Sequence, residues 1–340
     1  MNNIFFSIII PVYNTPADSL ERCINSVKSQ LYSFFECIIV DDGSKNETAI
    51  FLERIAMSDE RIQLIHQNNA GVSAARNAGI VRATGDYTVF IDSDDEVNEN
   101  YLKEAAQLID EYSPDIIFST LDYVPTNNIK QSNDKIELFS DTEINEITLS
   151  LLNLQPRKLN YHILGSPCGR VYSSLLAKNV LFPLGVPLCE DQIFNRRIVR
   201  EAKKVLVVPN HWYSYRQNFF SATHKTMNKS YINMAKPYWE ELYRLNTTEN
   251  PSIQNQLRIV SLGLMYTAIK KDIIPAKECL LRKIQKVKRI ANERLFVDAV
   301  CGLSVRNRYL STSQRIGLVL LKMHLYFVVY LGQKLLVGVE

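Results

Sequence analysis

Along the first 120 residues, short apolar runs alternate with segments whose apolar positions recur every three to four residues. Ile4–Val12 is a continuous apolar, β-branched run, as expected of a strand buried on both faces. Thr15-Pro16-Ala17-Asp18 then reads as an N-cap, a first-turn proline and an acid at the third helical position. Leu20, Cys23, Ile24, Val27 and Leu31 follow at helical spacing. The alternation continues through strand Cys37–Val40, helix Thr48–Met57, strand Ile62–His66, helix Val72–Ala83, strand Tyr87–Ile91, helix Glu99–Glu111 and strand Asp115–Ser119. Strands alternating with helices predict βαβ units and a parallel sheet covered on both faces. Residues 122–150 are polar and weakly periodic and read as a crossover or insertion. Short elements return over 151–220, with turn signals at Gly165-Ser166-Pro167 and Phe182-Pro183-Leu184-Gly185. From about residue 228 onward the pattern is helical only, and Leu280, Ile284, Val287, Ala291 and Leu295 are predicted to line one helix face.

Composition narrows the class. Apolar residues make up 46% and charged residues 22% of the 340, which is ordinary globular usage and excludes a disordered or fibrous chain. The net charge of +3 conceals a split of −7 over residues 1–250 and +10 over residues 251–340. The basic end lacks regular aromatic interleaving, which argues against nucleic acid as a partner. Six cysteines without a C-x-x-C pair fit reduced thiols in a cytoplasmic protein better than a zinc site or a disulfide framework. The N-terminus lacks the positive region and cleavage site of a secretory signal. In the tail, the stretch free of Lys, Arg, Asp and Glu is Met323–Gln333, short of the ~20 residues a span needs. Arg315, Lys322, Tyr326 and Gln333 fall near one stripe of a helical wheel. That pattern predicts a helix lying in an anionic membrane interface, the alternative being a packing helix of a C-terminal bundle.

Candidate chemistry follows from the strand ends. In an open parallel sheet, ligands sit beyond the carboxyl ends of the strands. Those ends here are Pro11-Val12-Tyr13-Asn14, Asp41-Asp42-Gly43-Ser44, Gln67-Asn68-Asn69-Ala70-Gly71 and Asp92-Ser93-Asp94-Asp95. The carboxylates of Asp41, Asp42, Asp92, Asp94 and Asp95 on one rim would repel each other without a cation. Mg²⁺ or Mn²⁺ bridging to a phosphorylated ligand satisfies that set. Arg76, one turn into the helix after the third strand, is placed to meet a phosphate. No G-x-G-x-x-G follows the first strand and no G-x-x-x-x-G-K-[ST] occurs, which argues against a dinucleotide oxidoreductase and a P-loop NTPase.

Four segments, Ser7–Asn14, Ile39–Ser44, Asn69–Gly79 and Phe90–Asp95, resemble in order and spacing those of glycosyltransferase family 2, with Phe182–Asp191 and Tyr213–Ser221 resembling two further family segments. The resemblance covers residues 5–220. It implies inverting enzymes with the α/β GT-A fold, a Rossmann-like, mostly parallel sheet flanked by helices, here with a helical C-terminal extension. The resemblance gives one domain over residues 1–220 (nucleotide-sugar binding over 1–120, acceptor side over 121–220), and the helical pattern and the tail add a helical, membrane-associating region over 221–340. In the implied roles, Pro11, Val12, Tyr13, Asn14, Asn69 and Asp42 or Asp41 hold the nucleoside, usually uridine, and Arg76 faces the nucleotide. Asp92, Ser93 and Asp94 meet ribose or metal, with Asp94, Asp92 and Asp95 as metal ligands. Asp191, beside Glu190, is the general base, and Arg216 and Ser221 steady the diphosphate. The implied activity moves a sugar from a UDP-sugar to a saccharide, in the form of a lipid-linked oligosaccharide of surface-polysaccharide synthesis, at the inner face of the cell membrane. The chain departs from the family at Cys168-Gly169-Arg170, where a Trp and a Lys are common near the acceptor loop. The alternatives weighed are a non-catalytic nucleotide-sugar-binding assembly subunit and a nucleotidyltransferase on a related fold, which would normally carry a glycine-rich loop after the first strand.

Overall fold

The computed structural model describes residues 3–124, 135–140, 143–144, 165–216, 230–245, 251–307 and 310–337. They fall into two compact units, the described residues of Met1–Leu184 with Glu190–Lys225, and those of Gly185–Cys189 with Thr226–Glu340.

The first unit is built on one mixed sheet. Its strands are β1 (Phe6–Val12), β2 (Phe35–Asp41), β3 (Ile62–His66), β4 (Tyr87–Phe90), β5 (Glu96–Val97), β6 (Ile116–Val124), β7 (Glu137–Ser140), β8 (Arg170–Ser173) and β9 (Lys204–Arg216). Spatial order is β3-β2-β1-β4-β8-β6-β9-β5, with β7 on β9. The first four strands pair in parallel, as the βαβ pattern predicts. β6 and β9 also pair in parallel, and the sheet is mixed because β8 enters antiparallel between β4 and β6, and β5 and β7 pair antiparallel with β9. Every residue of β1 and β2 is buried, which is why both strands read as unbroken apolar runs.

Pro11 is tolerated in the middle of this sheet for a local reason. β4 pairs with β1 only over Phe6–Ile9, so the missing N–H of Pro11 leaves no ladder position empty. Beyond Ile9 the two strand ends part company, and the rim loops occupy that end of the sheet.

The flanking helices of this unit are α1 (Ala17–Lys28), α2 (Asn46–Ser58), α3 (Val72–Arg82), α4 (Tyr101–Tyr112), α5 (Ser174–Asn179) and α6 (Glu190–Glu201). The expected Thr15 N-cap is corrected. Pro16 occupies the cap position without a side-chain bond, and the Thr15 hydroxyl instead meets Ser93 Oγ at 2.6 Å. At the opposite end of the sheet, the buried carboxylate of Glu36 accepts from Ser7 Oγ, Thr84 N, Thr84 Oγ1 and Gln63 Nε2. Gly85 lies against this network, and a Cβ there would stand 2.7 Å from Phe5 O and from Ser7 N. Backbone cannot step aside as a side chain can, so Gly85→Ala should lower stability by about 1–3 kcal/mol. An unchanged urea midpoint would disprove that tight approach.

In the second unit, the regular elements among the described residues beyond 229 are all helices, as expected. The helices are α7 (Tyr231–Leu245), α8 (Pro251–Ala268), α9 (Leu280–Ala291), α10 (Arg294–Gly302), α11 (Thr312–Lys322) and α12 (Tyr326–Val337). A π-helical turn at Ile269–Ile273 follows α8 and presents Asp272 to the start of α7, where it accepts from Ser230 Oγ and Tyr231 N at 2.7 Å each. The single apolar face predicted over 280–295 is divided. α9 stops at Ala291, Leu295 opens on the next helix, Val287 and Ala291 are buried, and Leu280 is exposed. The tail is likewise two helices, with left-handed His324 (φ 58°) between them. The expected polar stripe is also overturned, because Tyr326 and Gln333 are buried. No helix among the described residues is long and apolar enough to cross a membrane.

Candidate active site

The predicted site residues gather at the carboxyl ends of β1, β2 and β4, the start of α3 and the start of α6. The described ones all lie in the first unit, and Ser221 falls outside the described residues. Asn14 takes a left-handed conformation (φ 51°) that asparagine tolerates. Its N–H donates to Ser44 Oγ at 3.0 Å and its Oδ1 accepts from Lys45 N at 2.9 Å, which ties the ends of β1 and β2 together. Tyr13 is half exposed above them, while Pro11 and Val12 are buried in the strand.

The two carboxylates after β2 are both buried and both used. Asp41 accepts from Ser44 N at 2.9 Å and meets His66 Nδ1 at 2.9 Å. Asp42 accepts from Gln67 Nε2, Ala70 N and Gly71 N at 2.7–2.8 Å. Asp42 therefore holds the loop between β3 and α3, including exposed Asn69, in one conformation. Gly43 (φ 75°) makes that possible, since a Cβ there would press on Asn69 N. The sequence marks the Asp-Asp pair but not these partners, because the donors are backbone amides from another loop.

After β4, burial alternates along the chain. Asp92, Asp94 and Glu96 are partly exposed, and Ser93, Asp95 and Val97 point inward. Of the three expected metal ligands, Asp95 is thus set apart. It accepts from Tyr213 Oη at 2.7 Å and from Arg216 N at 2.8 Å, and it braces β9. Burial first, then the neighbouring Asp92, pushes its carboxyl up to about 8 despite those hydrogen bonds. Tyr213 also accepts from Asp92 N at 3.1 Å, a role that sequence reading missed. Among the described residues, no group of three or more His, Cys, Asp or Glu converges as a closed metal cage. Mg²⁺-type ions usually take one or two carboxylates and complete their shell with substrate phosphates and water. Asp92 and Asp94, on one exposed face, fit that open donor set.

Arg76 joins the two halves of the site. It is buried, with Nη2 at 2.8 Å from Asp92 Oδ1 and Nη1 at 3.3 Å from Glu190 Oε1. Its guanidinium also lies over the Phe182 ring at 5.2 Å. Burial opposes its charge, but Asp92 and Glu190 more than reverse that and raise its pKa. Arg76 is therefore a strut between the rim and α6. Phe182 stacks on Phe194 of α6 at 3.8 Å, and both rings touch Phe90 at the end of β4. This aromatic cluster fixes the first turn of α6 relative to the rim.

Asp191 sits in that first turn, partly buried, and accepts from Gln192 N at 2.7 Å. Burial and Glu190 raise its carboxyl to about 6, with Arg76 pulling the other way. A carboxylate with that affinity is ionised at neutral pH yet basic enough to take a proton. Arg216 Nε bonds Glu96 Oε1 at 2.6 Å, which anchors its guanidinium beside the rim. Arg170 is buried, donates to Ser166 O at 2.7 Å and lies over Phe118 at 4.2 Å. It serves the core where a Lys near an acceptor was the family pattern.

Residues 7–170 match the family model described as Glycosyl transferase family 2. Three proteins illustrate the likeness. Glycosyltransferase GlyA of Streptococcus pneumoniae is 30% identical over 62% of this chain and 30% of its own length. The uncharacterized glycosyltransferase EpsJ of Bacillus subtilis is 31% identical over 64% of this chain and 62% of its own. Poly(ribitol-phosphate) beta-N-acetylglucosaminyltransferase TarS of Staphylococcus aureus is 30% identical over 62% of this chain and 35% of its own. The chain thus spans less than two thirds of the length of each. The crystal structure of TarS residues 1–349 in complex with UDP-GlcNAc superposes with TM-score 0.69 at 21% identity, covering 97% of this chain and 91% of that one. That likeness establishes the fold, the GT-A arrangement with a helical C-terminal region.

Proposed function

We propose, from the match of residues 7–170 to the Glycosyl transferase family 2 model, that the chain transfers a sugar, with inversion, from a UDP-sugar to a hydroxyl of a saccharide acceptor. The observation that carries this reading is the Asp92–Arg76–Glu190 bridge, which ties the donor rim to the helix bearing Asp191. The uridine nucleotide is supported by the relative crystallised with UDP-GlcNAc. A saccharide acceptor in its lipid-linked form, as in surface-polysaccharide synthesis, is part of the same proposal.

In the proposed reaction the nucleoside lies against Tyr13, Asn14 and the loop that Asp42 holds. Asp94 and Asp92 hold a divalent ion, which when bound neutralises the charge developing on the diphosphate. Asp191 takes the proton of the acceptor hydroxyl. That oxygen attacks the anomeric carbon from the face opposite the diphosphate, the bond to the diphosphate oxygen breaks, and the configuration inverts. Arg216 would add a cation to the departing diphosphate.

The rim is tested by titrating UDP with and without Mn²⁺. Asp94→Ala should lower Mn²⁺-dependent UDP affinity about tenfold or more and leave the metal-free affinity unchanged. Equal affinity for wild type and variant in both conditions would refute the metal role.

A further inference from the structure

Helix α12 is buried on the wrong face for a soluble helix. It turns Tyr326, Val329, Tyr330 and Gln333 inward, while Phe327, Val328, Leu331 and Leu335 are exposed. The inward set carries both tyrosines and the glutamine, and these four outward residues are all apolar. Leu335 is 73% exposed. The outward residues recur at spacings of three and four, so they form a continuous stripe. Helix α11 repeats the pattern with Ile316 and Val319, and Met323 and Leu325 between the helices are exposed as well. Scattered surface leucines mean little, but contiguous apolar stripes on consecutive helices mark a surface that meets something apolar.

The charge around the stripes selects the occupant. Helix α9, which packs on α12, exposes Arg282, Lys288 and Arg289. Lys322 and Lys334 are exposed on α11 and α12 themselves. Among the described residues from Leu280 to Val337, Glu293 and Asp298 are the acids, and Asp298 is paired with Arg258 at 3.0 Å. A protein partner matched to this surface would have to be both apolar and strongly acidic. A bilayer interface supplies acyl chains and anionic headgroups together, and amphipathic segments of this composition bind it by apolar burial plus charge.

We propose that the α11–α12 helical hairpin is a monotopic membrane anchor. Phe327, Val328, Leu331 and Leu335, with Ile316, Val319 and Met323, enter the acyl boundary of an anionic leaflet. Arg282, Lys288, Arg289, Lys322 and Lys334 meet its headgroups. Tyr326 and Gln333, which the sequence sets on one stripe with Arg315 and Lys322, turn into the protein instead. The anchor stands whether or not the proposed transfer reaction is right, because it concerns other residues.

The test is flotation of the full-length protein with vesicles of phosphatidylcholine alone and of phosphatidylcholine mixed with phosphatidylglycerol. Wild type should float with the anionic vesicles about tenfold more than with the neutral ones, and less at high salt. The double variant Leu331→Glu, Leu335→Glu should lose that binding by more than about tenfold while keeping its UDP affinity. Both positions are exposed, so the variant should remain folded by circular dichroism. A second variant, Leu335→Trp, should gain emission over wild type that shifts to the blue with anionic vesicles and is quenched by brominated acyl chains. The proposal is overturned if wild type floats with neither vesicle, or if the double variant floats as wild type does. It is also overturned if the added emission of Leu335→Trp ignores brominated lipid, or if light scattering shows a dimer that the double variant dissolves.

Discussion

Replacing Asp191 with Asn is expected to abolish transfer while leaving donor binding intact. The amide keeps the size of the carboxylate and can still accept from Gln192 N, so the first turn of α6 should hold its shape. What it loses is the ability to take a proton from the acceptor hydroxyl. General-base catalysis contributes about 10²–10⁴ in rate, and with no second base in the turn besides Arg76-bound Glu190, the upper half of that range is expected. UDP titration should give an unchanged dissociation constant, and single-turnover transfer should fall about 10³-fold, equivalent to about 4 kcal/mol of transition-state stabilisation. A variant within tenfold of wild type would remove Asp191 from the mechanism. The wild-type pH profile should agree. Burial and Glu190 raise the Asp191 carboxyl to about 6, and the base works only when ionised. The rate should therefore fall about tenfold per pH unit below about 6 and level off above it, and this limb should vanish from the residual activity of Asp191→Asn.

The second large effect is expected at Arg76. Substitution by Met keeps much of the side-chain volume and removes the charge between Asp92 and Glu190. Removing one partner of a fully buried ion pair costs about 3–5 kcal/mol. Here the Asp92 side chain is 33% exposed and can recover some solvation, so about 2–3 kcal/mol is expected in urea unfolding. The catalytic consequence distinguishes a strut from a simple stabilising pair. Arg76 lowers the Asp191 pKa, so its loss should shift the acid limb of the rate profile upward from about 6. Arg76→Lys should restore part of the stability but not the two-pronged contact, since ammonium lacks the planar fork. An unchanged acid limb in Arg76→Met would mean that the bridge does not tune the base.

Several of these features could be read from the residues alone. The alternation of apolar runs and helical periods located β1 to β4 and their helices, because a parallel strand buried on both faces has a distinctive composition. The carboxylate-rich strand ends located the rim, because βαβ topology places those ends together. The Glu190-Asp191 pair before a helical run marked the start of α6. Where sequence reading went astray, the cause was a partner distant along the chain. Thr15 looked like a cap and instead bonds Ser93, 78 residues on. Asp95 stands in the same acidic run as Asp92 and Asp94, but the alternation of burial turns it toward Tyr213 and Arg216. The burial of Arg76 between two carboxylates, one of them 114 residues away, has no local signature either.

The sequence by itself determined the class of fold, the end of the sheet where chemistry gathers, the residue types available there and the helical character of the described elements beyond residue 229. Those depend on local period and composition. Tertiary structure alone decided which carboxylates are braced and which face the rim, since that depends on donors from other loops. It also decided which face of α12 is inside. Hydropathy assigns apolar positions to one stripe of a helix, but the packing of α9 and α11 against it determines whether that stripe turns toward the protein or away from it.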